Sequence, residues 1–419
     1  MAKDASFRAP RGTYDRLPPE SRDWQKVVRV AEDSFARAGY FPVDTPAFEH
    51  TEVFERGVGE TSEVVGKQMY TFEDRGGRSL TLRPEGTAPV VRAVIEHGLE
   101  RGALPVKLAY SGFMFRQERP QRGRFRQFFQ VGIEAIGAAS ALVDAEVIEV
   151  GHRFLRDAGV EPSLLVNSIG HAADSCRRGY LKVLGEYLAD HRDELATDDR
   201  ERVANNLLRT FDSKEAATIS VMADAPVIRD HLCAECRVHF ESVQGYLTDL
   251  SVDYEVDPRL VRGLDYYTRT AFEWVAGGLG AQNAVGGGGR YDGLSEALDG
   301  PPLPGIGFAI GMDRVMEARA SGPEVDQVAR VYVVALGDDA RREGLMLVTS
   351  LRRAGISAAQ DLSDRGMKGQ MKDAARTGAD WAVILGEKEM ASKRATLKNL
   401  HTQDQESVDF GSIERVVRS

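Results

Sequence analysis

Three stretches of this chain alternate with period two, setting charge on one side of a strand and large apolar groups on the other. From Leu80 onward, Thr81, Arg83, Glu85 and Thr87 fall on one side, with Leu80 and Leu82 opposite them. Between 113 and 118, Phe113 and Phe115 oppose Arg116 and Glu118, and Met114 shares the polar side. Further on, Phe129, Val131 and Ile133 oppose Gln130, Gly132 and Glu134. One such strand is a half-exposed sheet with a solvated face. Three of them, mixing carboxylates and arginines with glycines, imply a polar pocket laid on a sheet. Buried charges need partners, and a zwitterionic, phosphate-bearing ligand supplies them.

The surrounding pattern sets the architecture. Trp24, Val27, Val28, Ala31 and Phe35 repeat at helical spacing over about 20–38, and Gly39 stops them. Strand-like segments recur near 69–72, 79–85, 106–116, 126–136 and 163–169, with helices at about 88–98 and 141–157. Strands and helices without βαβ alternation predict an α+β domain around an antiparallel sheet flanked by helices. Residues 171–250 turn polar and helix-favouring and read as a helical insertion. Strand character returns at 260–311. Beyond a polar linker, apolar runs at 331–336 and 381–385 alternate with helices at about 339–354 and 367–376. That is the pattern of buried parallel strands in an α/β domain. The expected organisation is a core in two parts, 1–170 and 251–325, split by an insertion at 171–250 and followed by an α/β domain at 326–419.

Charge sharpens the expectation. The chain of 419 residues carries a net −10, which argues against generic nucleic-acid binding, because phosphate contacts need Lys and Arg. Residues 116–126 nevertheless hold five arginines against the single acid Glu118. Arginine forks suit phosphate oxygens. Residues 330–419 are +2, so the acidity is confined to 1–329. The run Gly286–Arg290 fits neither the dinucleotide nor the P-loop glycine spacing. In GIGFAIG (305–311), Gly307, Ala309 and Gly311 line one face, which leaves room for a flat ring, and Arg314 follows. No stretch approaches the ~18 apolar residues of a membrane span, and the start MAKDASFRAPRG lacks an apolar signal region. Three cysteines are too few for a disulfide framework and fit a reducing cytoplasm.

These residues resemble the histidyl-tRNA synthetases among the class II aminoacyl-tRNA synthetases. The matching segments are the helix at 20–38 with GYFPVDTP, FRQERPQRGRFRQFFQ followed by VGIEAIG, and GIGFAIGMDRV. Two histidine-specific signatures, LVRGLDYYTRTAFEW and GGGGRYDGL, join them, as does TLRPEGTAP. The C-terminal GMKGQMKDAARTGADWAVILGEKE resembles an anticodon-binding domain. The resemblance implies ATP with Mg²⁺, L-histidine and tRNA(His) as partners, a cytoplasmic homodimer and no membrane.

It also implies roles. Arg116 would hold the ATP α-phosphate and the histidine carboxylate, Glu118 the adenine amino group, and Arg314 the γ-phosphate, while Phe128 stacks on adenine. Glu85, Thr87 and Gln130 would hold the substrate amino group. Glu134 and Tyr267, with Tyr266 beside them, would bracket the imidazole. Arg262 would reach the α-phosphate where most class II enzymes place a metal, making Arg116 and Arg262 the catalytic pair. Gln121, Arg122, Arg124 and Arg126 would meet the tRNA acceptor end.

The remaining signals are weaker. Phe129 stands where bacterial relatives often carry His, and it points to the core side. His231, Cys233, Cys236 and His239 spell HxCxxCxxH, a compressed zinc pattern read here as thiols buried in the insertion, so no metal ligand is assigned. Cys176 reads as a core thiol, and His50, His97, His152 and His171 receive no role. The competing readings are a non-catalytic paralogue, the histidyl-synthetase-like regulatory subunit of ATP phosphoribosyltransferase, and a regulatory domain that senses uncharged tRNA, which should also show eroded motifs. Such paralogues typically lose the phosphate-binding arginines or the C-terminal domain, and here both are present.

Overall fold

The computed structural model describes residues 7–59, 62, 64–121, 123–200, 207–261, 264, 266–279, 283–320, 330–363 and 365–418, with backbone alone at 209, 212 and 330. It divides into two compact units, Met1–Ser321 and Gly322–Ser419.

In the first unit, helix α1 (Glu20–Arg37) leads into strand β1 (Phe41–Pro42). A small sheet then forms from β2 (Phe48–His50), β3 (Tyr70–Glu73) and β4 (Ser79–Leu82), with helix α2 (Thr51–Val58) inside it. Helix α3 (Thr87–Glu96) precedes the long hairpin β5 (Val106–Phe115) and β6 (Gln127–Ile136). Helix α4 (Ala141–Asp157) and β7 (Ser163–Ser168) follow. The polar middle includes α5 (Arg177–Asp190), α6 (Ala216–Ala223) and α7 (Ala234–Asp249), with 3₁₀ segments at Arg192–Glu194, Leu207–Asp212 and Ile228–His231. The chain returns through β8 (Glu255–Val256), β9 (Thr268–Val275), β10 (Ala284–Arg290), helix α8 (Leu294–Ala297), β11 (Gly305–Gly311) and α9 (Met312–Ala318).

The large sheet runs β1-β5-β6-β11-β10-β9-β7-β8. Its six central strands are antiparallel, as the sequence pattern predicts. The outermost pairs, β1 with β5 and β7 with β8, are parallel, so the sheet is mixed. These edge strands have two residues each, too short to show any alternation in sequence. One face buries Val131, Ile133, Phe272, Trp274, Ile306, Phe308 and Ile310 under Trp24, Val27, Ala31 and Phe35 of α1 and Ile148 and Phe154 of α4. Helix α7 adds Phe240, Val243 and Leu247 to that core. A charged knot lies at the start of α4. Asp144, fully buried, accepts hydrogen bonds from His239 Nε2 (2.8 Å), Thr270 Oγ1 (2.6 Å) and Arg290 Nε (3.1 Å). Arg290, equally buried, also donates to the Ala138 carbonyl at 3.0 Å and to Asp292 at 2.9 Å.

The second unit has a five-stranded sheet in the order β13-β12-β14-β15-β16. Its strands are β12 (Arg330–Ala335), β13 (Ser357–Gln360), β14 (Trp381–Leu385), β15 (Arg394–Asn399) and β16 (Gln405–Asp409). Helices α10 (Asp338–Arg353), α11 (Met367–Arg376), α12 (Glu387–Ser392) and α13 (Ile413–Arg418) complete it. β12 is parallel to β13 and β14 and buried on both faces. The antiparallel hairpin β15–β16 is an addition. Its strands are polar, and β16 sends only Val408 into the core, so the hydrophobic pattern is too thin to announce it. Among the described residues no helix is long and apolar enough to cross a membrane.

Candidate active site

Strand register assembles the site. Tyr110, Gly112 and Met114 of β5 stand opposite Gly132, Gln130 and Phe128 of β6. Glu134, Gly132 and Gln130 stand opposite Gly307, Ala309 and Gly311 of β11. The row continues through Gly289 and Gly287 of β10 to Ala271 and Glu273 of β9. Directly opposed residues share a face, so this row is the face away from the α1–α4 core. Small residues make its floor, Glu134 rises at one end, and Phe128 and Gln130 at the other.

The glycines serve two purposes. A Cβ on Gly307 would lie 1.8 Å from Glu134 Oε2, and one on Gly289 would lie 2.8 Å from the Tyr267 ring. Both make room for the protein's own side chains, and at Gly307 this fills space that the sequence pattern had left for a ligand ring. At Gly311 the nearest atoms stand 3.9 Å from that position, so the floor is open beside Arg314.

Glu134 is fully buried and accepts hydrogen bonds from the hydroxyls of Thr87 (2.7 Å) and Tyr291 (2.6 Å). Both partners are neutral. Burial pushes its pKa up to about 8, against the relief of those two bonds and with a further push from Glu85. Glu85 is also buried and accepts the backbone N–H groups of Thr87 and Ala88, each at 2.8 Å, which satisfies two free donors of the first turn of α3. Burial raises its pKa as well, opposed by those amides and by Arg116. Tyr266 donates toward Glu85 at 3.5 Å, and its ring lies 4.6 Å from that of Tyr267 and 5.9 Å from that of Tyr291. Burial among carboxyls holds Tyr110 and Tyr291 far above the usual phenol range. Gln130 Oε1 is shielded from solvent and has no hydrogen-bond partner among the described residues.

The period-two reading from Leu80 to Thr87 fails after Leu82, where β4 ends. Thr81 bonds to Thr51 and Thr71 within the small sheet. Arg83 ties the Thr45 carbonyl (2.7 Å) to the Phe113 carbonyl (2.9 Å). Glu85 and Thr87 still meet, because Glu85 caps the helix that Thr87 opens. Two of the four reach the site.

The basic end is built on the β5–β6 hairpin. Arg116 Nε donates to the Pro84 carbonyl at 2.8 Å, and its guanidinium lies 5.4 Å over the Phe128 ring and 3.7 Å from Glu118. Arg124 reaches Glu118 at 3.3 Å and pairs through its backbone with Gln121. Arg126 fastens the hairpin, donating from Nε to the Glu118 carbonyl at 3.3 Å and from its backbone to the Gly12 carbonyl at 2.7 Å. Arg314, from α9, donates to the Ala284 carbonyl, and burial together with Arg124 lowers its pKa. Arg122 and Arg262 lie outside the described residues.

Tyr291 and Tyr110 were not picked out from sequence. The signal for Tyr291 was its place in GGGGRYDGL, and for Tyr110 its period-two spacing from Gly112 and Met114. The HxCxxCxxH residues do not converge as a set. His239 belongs to the Asp144 knot, and His231 tilts against Tyr180 at 5.5 Å between ring centroids. Cys233 and Cys236 instead meet His171 and Cys176, so His171 has partners that the linear pattern did not reveal.

The sequence profile described as Histidyl-tRNA synthetase matches residues 12–315, and that described as Anticodon binding domain matches 330–419. A histidine–tRNA ligase of Halothermothrix orenii is 47% identical over 410 residues, covering 97% of each chain. One of Nocardia farcinica is 47% identical over 423 residues, covering 100% of this chain and 99% of the other. The crystal structure of apo Staphylococcus aureus histidyl-tRNA synthetase superposes with a TM-score of 0.82 at 35% identity, covering 99% of this chain and 100% of that one. With a glycine-floored sheet, a paired carboxyl end and arginine end, and relatives matched along nearly its whole length, the chain belongs to the histidyl-tRNA synthetase family.

Proposed function

We propose that the protein is a histidine–tRNA ligase. It joins L-histidine to ATP, taken up as the magnesium complex, to give histidyl-adenylate and pyrophosphate. It then passes the histidyl group to the 3′ end of tRNA(His), releasing AMP. The observation that carries this reading is Glu134, a buried carboxyl whose hydrogen bonds among the described residues come from neutral hydroxyls, at one end of a floor whose other end is cationic.

A carboxyl near pKa 8 is protonated at neutral pH, whereas an imidazole near pKa ~6.5 is mostly neutral. The two meet with one proton to share, so the pair enters the site without net charge whichever atom holds it. Tyr267, seated over Gly289, closes the other side of the ring, with Tyr266 beside it. An amino acid lacking ring nitrogens leaves the Glu134 proton without an acceptor, a loss that discriminates by ~10⁴-fold or more. Glu85, Thr87 and the unpaired Gln130 Oε1 receive the α-amino group.

Arg116 holds both the substrate carboxylate and the α-phosphate. A carboxylate oxygen attacks the α-phosphorus, the bond to the bridging oxygen breaks, and pyrophosphate leaves with the electron pair. Arg116 and Arg262 offset charge on the transferring phosphoryl group, and Arg314 binds the γ-phosphate. Adenine stacks on Phe128, over the open floor at Gly311, with its amino group on Glu118. The hairpin residues Gln121, Arg122, Arg124 and Arg126 serve the acceptor end, and residues 330–419, at +2, serve the anticodon. A homodimer forms through the α1–β1 edge, where β1 is an outermost strand and Phe41 is 72% exposed.

Pyrophosphate exchange into ATP, run with a panel of amino acids, tests the reading. Exchange is expected with histidine alone. Exchange driven by another amino acid refutes the specificity, and none with any of them refutes the activity.

A further inference from the structure

A second cluster of reactive side chains lies at the root of the helical middle region. His171, Cys176, Cys233 and Cys236 bring their ligand atoms within 4.8 Å of one another. His171 Nδ1 lies 3.0 Å from Cys236 Sγ and 3.8 Å from Cys233 Sγ. All three cysteines are free thiols, with Cys176 and Cys236 buried and Cys233 half-buried. Packing alone gives no reason to gather every thiol of a 419-residue chain around one imidazole.

Zinc does. A tetrahedral site with Zn–S ~2.3 Å and Zn–N ~2.0 Å sets its ligand atoms about 3.5–3.8 Å apart, close to the spacing seen here. The four residues come as two short-range pairs, His171 and Cys176 five positions apart, and Cys233 and Cys236 three apart. Each pair sits where a helix begins. Cys176 is the residue before α5, and Cys233 the residue before α7, whose Sγ accepts the Cys236 N–H at 3.5 Å. Helix N-termini favour thiolate over thiol, the form a soft divalent ion binds. Three thiolates and one neutral imidazole around Zn²⁺ leave a single negative charge, which those two helix ends offset. Gly170, at φ +61°, leaves the space that Cys176 Sγ fills, since a Cβ there would lie 2.6 Å from the sulfur.

We propose that His171, Cys176, Cys233 and Cys236 bind one zinc ion that clamps the starts of α5 and α7 to the end of β7. The clamp borders the active site without belonging to it. Arg177, next to Cys176, donates to the Tyr267 carbonyl at 2.6 Å, and Arg269 and the 169–170 turn exchange backbone bonds. Cys176, Cys236 and Tyr267 share one apolar cluster. Zinc therefore holds the segment that carries Tyr267 and is a positioning device.

Metal analysis of the full-length protein, purified with added Zn²⁺ and dialysed, tests this directly. About one zinc per chain is expected, lost in Cys236→Ser and in Cys176→Ser and kept in His231→Ala. The apo protein reloaded with Co²⁺ should show the thiolate charge-transfer and tetrahedral d–d bands of a three-sulfur site, a readout that needs no variant to fold. Absence of zinc, its retention in both serine variants, an octahedral cobalt spectrum or a Cys233–Cys236 disulfide in the intact mass would each overturn the proposal.

Discussion

Glu134 and Asp144 are both carboxyls with no exposed surface, packed against the same sheet, and they behave in opposite ways. Asp144 is met by an arginine and a histidine. Burial alone would raise its pKa, but the His239 hydrogen bond and the Arg290 charge prevail and lower it. Glu134 is met by two hydroxyls, and burial wins, lifting it to about 8. A buried carboxyl whose charge is matched from within the chain is structural. One whose hydrogen-bond donors are neutral hydroxyls is, in the function proposed above, held ready for a partner from outside.

The largest expected effect breaks the first half of that contrast. Asp144→Asn leaves the Arg290 guanidinium buried with only Asp292, itself partly exposed, as a carboxylate partner. Unfolding in urea should then show a loss of about 3–5 kcal/mol. A loss below about 1 kcal/mol would mean that the knot is not what fastens α4 to the sheet. The second prediction inverts the first. Glu134→Gln is a neutral isostere of the protonated carboxyl, with one acceptor oxygen and one N–H donor, so stability below pH 4.5 should change by less than about 1 kcal/mol, and at neutral pH the variant should be no less stable than the wild type. The kcat/KM for histidine in pyrophosphate exchange should fall by ~10²–10³-fold, because Gln cannot share a proton with the imidazole. Similar losses of stability in both variants would erase the distinction.

The same contrast explains what was legible in the sequence. The glycine floor, the back-face core and the Arg116–Glu118 end follow from period-two alternation, because adjacent antiparallel strands carry it from residue to residue. Glu85 and Thr87 were placed on the right face by an alternation that stops at Leu82, and helix capping is what unites them. Tyr291 directly follows the last residue of β10 and the cysteine cluster comes from segments about 60 residues apart, so neither leaves a periodic trace. HxCxxCxxH supplied two of four clustered residues, since α7 turns His239 toward Asp144 and leaves the two thiols for His171 and Cys176. Short edge strands escaped notice for the reason that hairpin β15–β16 did: too few buried residues.

The pH dependence separates the two carboxyls without changing either. Asp144, lowered in the fold, contributes stability above its ordinary 3.8 that is lost as pH falls through its folded value. Glu134, raised, binds its proton more tightly folded than unfolded. Its contribution is therefore full below 4.5 and is lost as pH rises toward about 8. Stability of the wild type should decline across that upper window, and Glu134→Gln should flatten the decline. Histidine binding should weaken above about pH 8, as Glu134 gives up the shared proton. A binding profile whose alkaline limb survives Glu134→Gln would assign that limb to another group.

Tyr291→Phe gives the smallest effect and the finest test. Its hydroxyl stabilises the ionised form of Glu134 and so lowers a pKa that burial raises. Removing it deletes one neutral hydrogen bond at pH 7, about 1 kcal/mol, which converts to roughly a fivefold fall in kcat/KM. The sign of the accompanying shift is fixed by the same bond. With one donor fewer, Glu134 ionises later, so the alkaline limb of histidine binding must move to higher pH even as activity drops. A limb that moves down, or stays in place while kcat/KM falls, would mean that Tyr291 acts on the ligand directly, and Glu134 would then be tuned by burial, Thr87 and Glu85.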